Sequence, residues 1–258
     1  MYSVEEARRL EEQARVQLHE LQALMLTGLT VADARMPERA RTYLSHGVGR
    51  RLSVLRASLA QLFELFPPTR TAPLPQSLAT TLQIHLHAFV INLNGVFDNW
   101  AWAFVLRHNL FDRLNGRRES VGMFKPQTQR LLPEALRQFL ESEAIRTWHS
   151  RYLKGYRDAL AHRIALYIPP ARYSPEDGDR YTRLDAAAIE AIQQRDWARV
   201  DALRAQQDAI GSACYYFLHE YAPDEDARPV LLHPQVLSDS ATAVEFGNRF
   251  YSLWHDHA

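Results

Sequence analysis

Cysteine, lysine and glycine are scarce in this chain of 258 residues, and their scarcity excludes several kinds of site and fold. Cys214 is the only cysteine, so the chain can form no internal disulfide and no cluster of thiolates around a metal ion. The ten glycines form no phosphate-cradling loop, which argues against a cofactor-binding α/β fold. The helical pairs His-x3-His and Glu-x2-His, which metal sites in bundles use, do not occur. We therefore predict neither a cofactor nor a metal site.

An excess of one charge is also missing, because 30 acidic residues balance 30 basic ones. Proteins that hold nucleic acid over a broad surface usually have a basic excess, so any contact with RNA is expected to be local and to involve few phosphates. No apolar run reaches the length of a membrane span, and the acidic N-terminus does not resemble a secretory signal. We predict a cytoplasmic protein with no membrane partner.

Apolar residues recur at helical spacing along almost the whole chain, and no convincing alternating pattern of a strand is found. We predict one all-α domain over residues 1–258, a helical bundle. Its core spans about 76–167, with N-terminal helices at 3–66 and C-terminal helices at 186–254 packed on it. The longest apolar helix, about 76–108, has apolar groups on most faces, which predicts that it is central and buried.

Prolines, glycines and polar runs set the expected boundaries of the helices. Gly47 and Gly49 are expected to weaken the second N-terminal helix locally. The other predictions are a loop at 109–126 that turns at Asn115-Gly116, a helix at 134–167 with a break near Ser142, an exposed connection at 169–184, a helix from Ala186 to about Gln207 capped by Asp185, a helix through Ala213 to Tyr221, and a last helix near 238–254.

The segment from Tyr156 to Arg163 holds the residues best suited to chemistry. At about 100° per residue, Arg157 and His162 fall on the two borders of the apolar arc of their helix. Asp158 stands four residues before His162 on nearly the same side, so its carboxylate is expected to orient the imidazole. An arginine binds phosphate oxygens and stabilises the charge that builds on them, while a histidine transfers the proton. These three residues are the candidate catalytic group.

Arg157 to His162 resembles the signature of the HEPN superfamily, an Arg followed after four to six residues by a His, often with a polar residue directly after the Arg. Asp158 fills that polar place. The resemblance covers about residues 145–170, together with an aromatic-rich partner helix at about 85–106. It implies an all-α bundle that forms a homodimer, in which the motifs of two protomers make a metal-independent endoribonuclease of a defence or toxin–antitoxin type. The implied reaction is attack of the ribose 2′-OH of RNA on the adjacent phosphate, with His162 in proton transfer and Arg157 on the phosphate.

Spacing alone does not single out this pair. Lys125 and Lys154 are the only lysines among the 30 basic residues, so Arg–His spacings recur by chance. The following Asp, the amphipathic helix and the aromatic helix before it distinguish Arg157–His162. The alternative is that the motif is only the polar edge of a helix in a non-catalytic all-α binding or interaction module. Four other pairs have a similar spacing: Arg39–His46, Arg41–His46, Arg228–His233 and Arg249–His255.

The densest positive cluster lies in the loop that follows the aromatic helix. Arg113, Arg117 and Arg118 belong to it, together with Lys125 and Arg130. These side chains either collect a phosphate near the candidate catalytic group or belong to a solvated loop.

Polar residues interrupt the long apolar helix, and Asn94 and Asp98 share one of its faces because they are four residues apart. They either line a polar pocket beside the motif helix, with Trp100 at a small-ligand cavity, or form hydrogen bonds inside the core. Arg163 projects onto the apolar arc of the motif helix. It therefore either pairs with Asp98 or lies where that helix already ends.

Overall fold

The computed structural model describes residues 1–33, 35–219 and 228–254, and helices make up most of them. The all-α prediction is confirmed, and one small two-stranded sheet is added to it. Two π-helical segments, Tyr43–Val48 and His149–Leu153, lie within longer helical stretches, and short 3-10 turns cover Asp112–Leu114 and Arg118–Ser120. The α-helices are Val4–Val31 (α1), Glu38–Thr42 (α2), Gly49–Leu65 (α3), Gln76–Arg107 (α4), Pro126–Gln129 (α5), Glu134–Glu141 (α6), Glu143–Trp148 (α7), Lys154–His162 (α8), Pro175–Gln193 (α9), Trp197–Asp208 (α10) and Leu232–Ser252 (α11).

The predicted central helix is confirmed as α4, which contacts α2, α3, α8 and α11. Phe97 and Trp100 of α4 meet Phe246 of α11 with ring centroids 4.9 and 5.2 Å apart, so the two helices share an aromatic core. Gly247 allows α11 to come this close, because a Cβ there would lie 2.7 Å from Leu24 and 3.0 Å from Trp100. Burial of these aromatic side chains, together with the many aliphatic residues of the core, stabilises the fold.

The second N-terminal stretch is continuously helical from Glu38 to Leu65, and its middle widens into the first π-helical segment. Gly47 lies in that segment against Asn99 of α4, where a Cβ would be 2.9 Å from the Asn99 side chain. The glycine therefore permits a close approach of two helices, and the local irregularity falls where the glycines predicted it.

The exposed connection predicted at 169–184 is wrong in its second half, because α9 begins at Pro175. Ser174 accepts a hydrogen bond from the backbone N–H of Asp177, and the Asp177 carboxylate accepts one from the backbone N–H of Ser174. This reciprocal capping box, with proline in the first turn, starts a helix in a segment whose composition indicated a loop.

The single helix predicted from Ala186 to about Gln207 is also wrong, because two antiparallel helices replace it. Arg195 has φ of 58°, a left-handed conformation that ends α9 and reverses the chain. Asp196 then caps α10 by accepting from the backbone N–H of Arg199. Asp185, which was expected to be a cap, lies inside α9 and accepts a hydrogen bond from Arg204 at 2.7 Å.

The helix predicted through 213–221 is wrong as well. Tyr216–His219 forms a strand (β1) that pairs antiparallel with Arg228–Leu231 (β2). Its burial alternates in the manner of a strand, with Phe217 on the buried side. Four residues are too few for periodicity to separate a strand from a helix. The end of this prediction, residues 220–221, lies outside the described residues.

The helix predicted at 134–167 has the expected break at Ser142 but ends early, at His162. Arg163 adopts an extended conformation, and the chain then runs to Tyr167, whose backbone exchanges hydrogen bonds with Leu218 of β1. Pairing with a strand therefore replaces the last predicted helical turn.

The last helix begins at Leu232, earlier than the predicted start near 238. Pro234 lies within its first turn, where the missing N–H costs no helical hydrogen bond, so proline does not prevent the helix from starting there. Of the helices in the described ranges, none combines the length and apolar character needed to cross a membrane.

Candidate functional site

The predicted catalytic residues lie on α8, which the second π-helical segment connects to α7. Tyr156 and Ala159 of this helix are buried, so the predicted apolar side faces the core. Arg157 lies on the outer side with 46% of its side chain exposed, and His162 is exposed as the last helical residue. A large anion could therefore reach both side chains from solvent.

Asp158 lies between two cations. Its carboxylate accepts a hydrogen bond from Lys154 at 2.6 Å on one oxygen and from Arg157 at 2.7 Å on the other. The hydrogen bond from Lys154, followed by that from Arg157, lowers the pKa of Asp158 below its ordinary value, although partial burial acts in the opposite direction. The carboxylate is therefore ionised at neutral pH and fixes the direction of the guanidinium.

The expected partnership of Asp158 with His162 is not formed. Among the residues that the structure describes, no hydrogen bond or ion pair joins them, and the two carboxylate oxygens bind Lys154 and Arg157 instead. Asp158 thus positions the arginine of the motif, while the imidazole of His162 is exposed to solvent.

Asp98 connects the motif to the central helix. The charges of Arg157, Arg51 and Lys125 all act on this carboxyl and lower its pKa, but desolvation outweighs them and raises it above the ordinary value. By surface area Asp98 is exposed, yet enough protein surrounds its carboxyl to desolvate it. Arg157 and Arg51 are therefore the arginines whose charges act on Asp98. Arg163 lies at the exposed end of α8, as the alternative prediction had it.

The predicted pocket of Asn94, Asp98 and Trp100 is not formed as a unit. Trp100 is completely buried and donates its indole N–H to the Tyr251 hydroxyl at 3.2 Å, so it belongs to the core and cannot contact a ligand. Asn94 is half-buried. The three residues do not share a pocket because most faces of α4 are apolar. Trp100 is therefore turned into the core, while Asp98 lies on the side of the cations.

His149 joins the polar cluster and was not identified from the sequence. Its ring stacks on Phe124 with centroids 3.8 Å apart and planes 14° from parallel. Burial, together with the positive charge of Lys154, lowers the pKa of His149 to about 4, although Asp158 acts in the opposite direction. The imidazole is therefore neutral at physiological pH. No sequence signal could have found it, since its position depends on the π-helical segment and on a loop distant in sequence.

His149 and Phe124 form one wall of a surface pocket of about 880 Å³. Glu141, Glu143 and Arg146 also line it, so the pocket carries both signs of charge. The Phe124–His149 stack thus borders this pocket, and His149 also lies within the electrostatic reach of Lys154 on α8.

Part of the predicted arginine cluster lies around one pocket. The loop turns at Asn115-Gly116, with φ of 54° and 65°, which is the turn that the sequence predicted. Arg113 and Arg117 line one pocket of about 430 Å³, and Arg130 lines it too, whereas Arg118 does not. Arg118, which the sequence placed in one cluster with Arg113 and Arg117, therefore lies outside the lining of this pocket.

In the parts of the chain that the structure describes, no group of three or more His, Cys, Asp or Glu side chains could hold a metal ion. Comparison of the chain with protein-family models, with curated proteins and with solved structures finds no match in any of the three.

Proposed function

We propose that this protein is a HEPN-like endoribonuclease of a defence or toxin–antitoxin type, which binds RNA at the exposed side of α8 and cleaves it without a metal ion. The observation that carries the proposal is the joint exposure of Arg157 and His162 on one helix, with Asp158 holding the guanidinium at 2.7 Å. A preoriented guanidinium favours bidentate contact with a phosphate, and an accessible imidazole can exchange protons with a substrate.

The proposed reaction is an internal transesterification. The ribose 2′-oxygen loses its proton and forms a bond to the adjacent phosphorus, while the bond from phosphorus to the 5′-oxygen of the next nucleotide breaks. The products carry a 2′,3′-cyclic phosphate and a 5′-hydroxyl. Arg157 stabilises the charge on the non-bridging oxygens, and His162 takes up or delivers a proton.

Two proton transfers occur in this reaction, one at the attacking oxygen and one at the leaving oxygen. We propose that two copies of the chain form a homodimer and that each copy supplies one His162 to a shared site.

The local charge supports contact with a single phosphate, since Lys154 and Arg157 together outweigh the one carboxylate of Asp158.

The test is cleavage of end-labelled single-stranded RNA by the purified protein in buffer that contains EDTA. We expect products with a 2′,3′-cyclic phosphate end, and we expect His162→Ala and Arg157→Gln each to slow cleavage by about a hundredfold or more. His19→Ala is the matched control, because His19 is an exposed histidine on α1. Cleavage by His162→Ala at the rate of the unsubstituted protein would reject the proposal.

The second candidate is a non-catalytic interaction module, and an apolar groove favours it. The groove has a volume of about 620 Å³ and lies between α4 and the segment after α8. Its lining includes Ile84 with 61% exposure and Ile164 with 45%, so two exposed aliphatic side chains belong to one apolar groove. RNA cleavage and sedimentation together distinguish the two. A dimer that Ile84→Glu disrupts, in a protein that does not cleave RNA, favours the interaction module, while a monomeric wild type would remove the shared active site.

A further inference from the structure

The pocket of about 430 Å³ in the loop after α4 has an unusual lining. Arg113, Arg117 and Arg130 contribute three guanidinium groups, and no carboxylate belongs to the lining. The remaining lining residues are the polar Asn115, Ser120 and Gln127 and the apolar Leu114 and Leu131. We name this site the arginine pocket. Its chemistry differs from that of the first pocket, which has two glutamates on its walls.

The three arginines of the arginine pocket are unpaired within the described residues: across 1–33, 35–219 and 228–254, their side chains form no ion pair and donate no hydrogen bond. Arg8 of α1, by contrast, binds Glu5 and Glu12, both at 2.8 Å. Three unpaired positive charges around one concavity repel each other, and an anion that enters relieves this repulsion.

The backbone beneath the arginine pocket is held firmly. Buried Thr128 donates its hydroxyl proton to the Ser120 carbonyl at 2.8 Å and accepts from the backbone N–H of Gly122 at 3.2 Å. Gly116 completes the turn by donating its N–H to the Phe111 carbonyl at 3.2 Å. A site built on an ordered backbone loses less conformational entropy when it binds a ligand.

We propose that the arginine pocket binds a small ligand through a pyrophosphate group, either free pyrophosphate or that of a nucleoside diphosphate. Three guanidinium groups match a group with two to three negative charges, and their planar forks suit phosphate oxygens. The pocket volume lies within the range of small-molecule sites. Asn115, Ser120 and Gln127 supply neutral hydrogen-bonding groups beside the charges. This binding does not depend on RNA cleavage at α8.

Isothermal titration calorimetry at low salt tests the proposal with pyrophosphate, with ADP and with inorganic phosphate. We expect pyrophosphate and ADP to bind the protein more tightly than phosphate. Arg113→Gln, Arg117→Gln and Arg130→Gln should each weaken binding of both by about tenfold or more, because each removes charged hydrogen bonds. Arg118→Gln is the matched control, since Arg118 lies in the same loop but outside the lining. It should bind like the unsubstituted protein.

The two probes separate the sources of the ligand. Tighter binding of ADP would assign the site to a nucleotide, and equal affinities would assign it to the pyrophosphate group alone. An equal loss in Arg118→Gln and Arg113→Gln would overturn the proposal, because the effect would then be that of general loop charge. The proposal would also be overturned if neither pyrophosphate nor ADP bound the protein, even if the arginine variants weakened RNA binding.

Discussion

Asp158 and Asp239 are the same residue type in opposite surroundings. Asp239 of α11 has 2% exposure and accepts hydrogen bonds from the neutral donors Trp148 and Gln235, each at 2.8 Å. Asp158 lies at the surface between Lys154 and Arg157. Burial raises the pKa of Asp239 to about 7, whereas the two cations lower the pKa of Asp158. Neutral hydrogen bonds inside a core stabilise an ionised carboxylate less than the water it has lost. Cations at the surface stabilise it more than water does.

This difference separates a buried carboxyl that connects two helices from a surface carboxyl that would position Arg157 in the proposed RNA cleavage. Asp239 of α11 binds Trp148 at the end of α7. It therefore fixes the helical stretch that continues through the second π-helical segment into α8. Asp158 orients a side chain that faces solvent. Substitutions at the buried site should therefore change stability, and substitutions at the surface site should change activity with little effect on stability.

The largest effect is expected from Trp148→Ala, which removes a buried aromatic side chain and one of the two donors to Asp239. We expect a loss of about 3–5 kcal/mol in the free energy of unfolding, measured by chemical denaturation. Trp197→Ala is the matched control, because Trp197 has 61% exposure and its loss should change stability by less than about 0.5 kcal/mol. Equal losses in the two variants would contradict the distinction between core and surface.

The second effect concerns pH. The folded-state pKa of Asp239, about 7, is above that of an unfolded aspartate, about 3.9, so the unfolded chain releases a proton that the folded chain keeps. The contribution of Asp239 to stability therefore falls as pH rises from about 4 to 7 and is constant above that range. Asp239→Asn should remove this dependence and raise stability at pH 8 by roughly 2–4 kcal/mol, with little change at pH 4. Parallel stability curves for both proteins between pH 4 and 8 would show that the carboxyl does not titrate there.

The third effect tests the surface carboxyl, and it rests on the proposed RNA cleavage. Asp158→Asn should leave stability within about 1 kcal/mol, because the ion pairs lie at the surface. It should slow cleavage by about ten- to hundredfold, because Arg157 loses the charge that orients it. Asp185→Asn is the control, since Asp185 forms a similar surface pair with Arg204 on another part of the molecule. A slower reaction in both variants would indicate a general effect of charge.

The sequence predicted the buried core more completely than the surface. The apolar faces of α4 predicted a central helix because many consecutive residues carry the pattern of a buried helix. Ser142 predicted a break that the structure has. By contrast, the strand at Tyr216–His219 is too short to leave a periodic pattern, and the reversal at Arg195 depends on one left-handed residue that is not a glycine.

The candidate site could be predicted only as residue types. The motif spacing placed Arg157 and His162 on one exposed helix, but not the partners of Asp158. A helix offers a carboxylate several neighbours at three or four positions away, and the choice among them depends on rotamers. The position of His149 depends on the π-helical segment and on Phe124, so tertiary structure decides it.

The smallest effect is expected from Lys154→Met, which removes one partner of Asp158 and keeps an apolar stem of similar length. The lowered pKa of Asp158 means that its ion pairs stabilise the protein above the pKa of an unfolded aspartate, and this contribution is lost as pH falls through the folded-state pKa. We expect a loss of about 0.5 kcal/mol at pH 7 in low salt, because Arg157 still binds the carboxylate. This loss should disappear in about 0.5 M salt and shrink as pH falls through the folded-state pKa of Asp158. A loss that persisted in high salt would show that the lysine acts through packing rather than through charge.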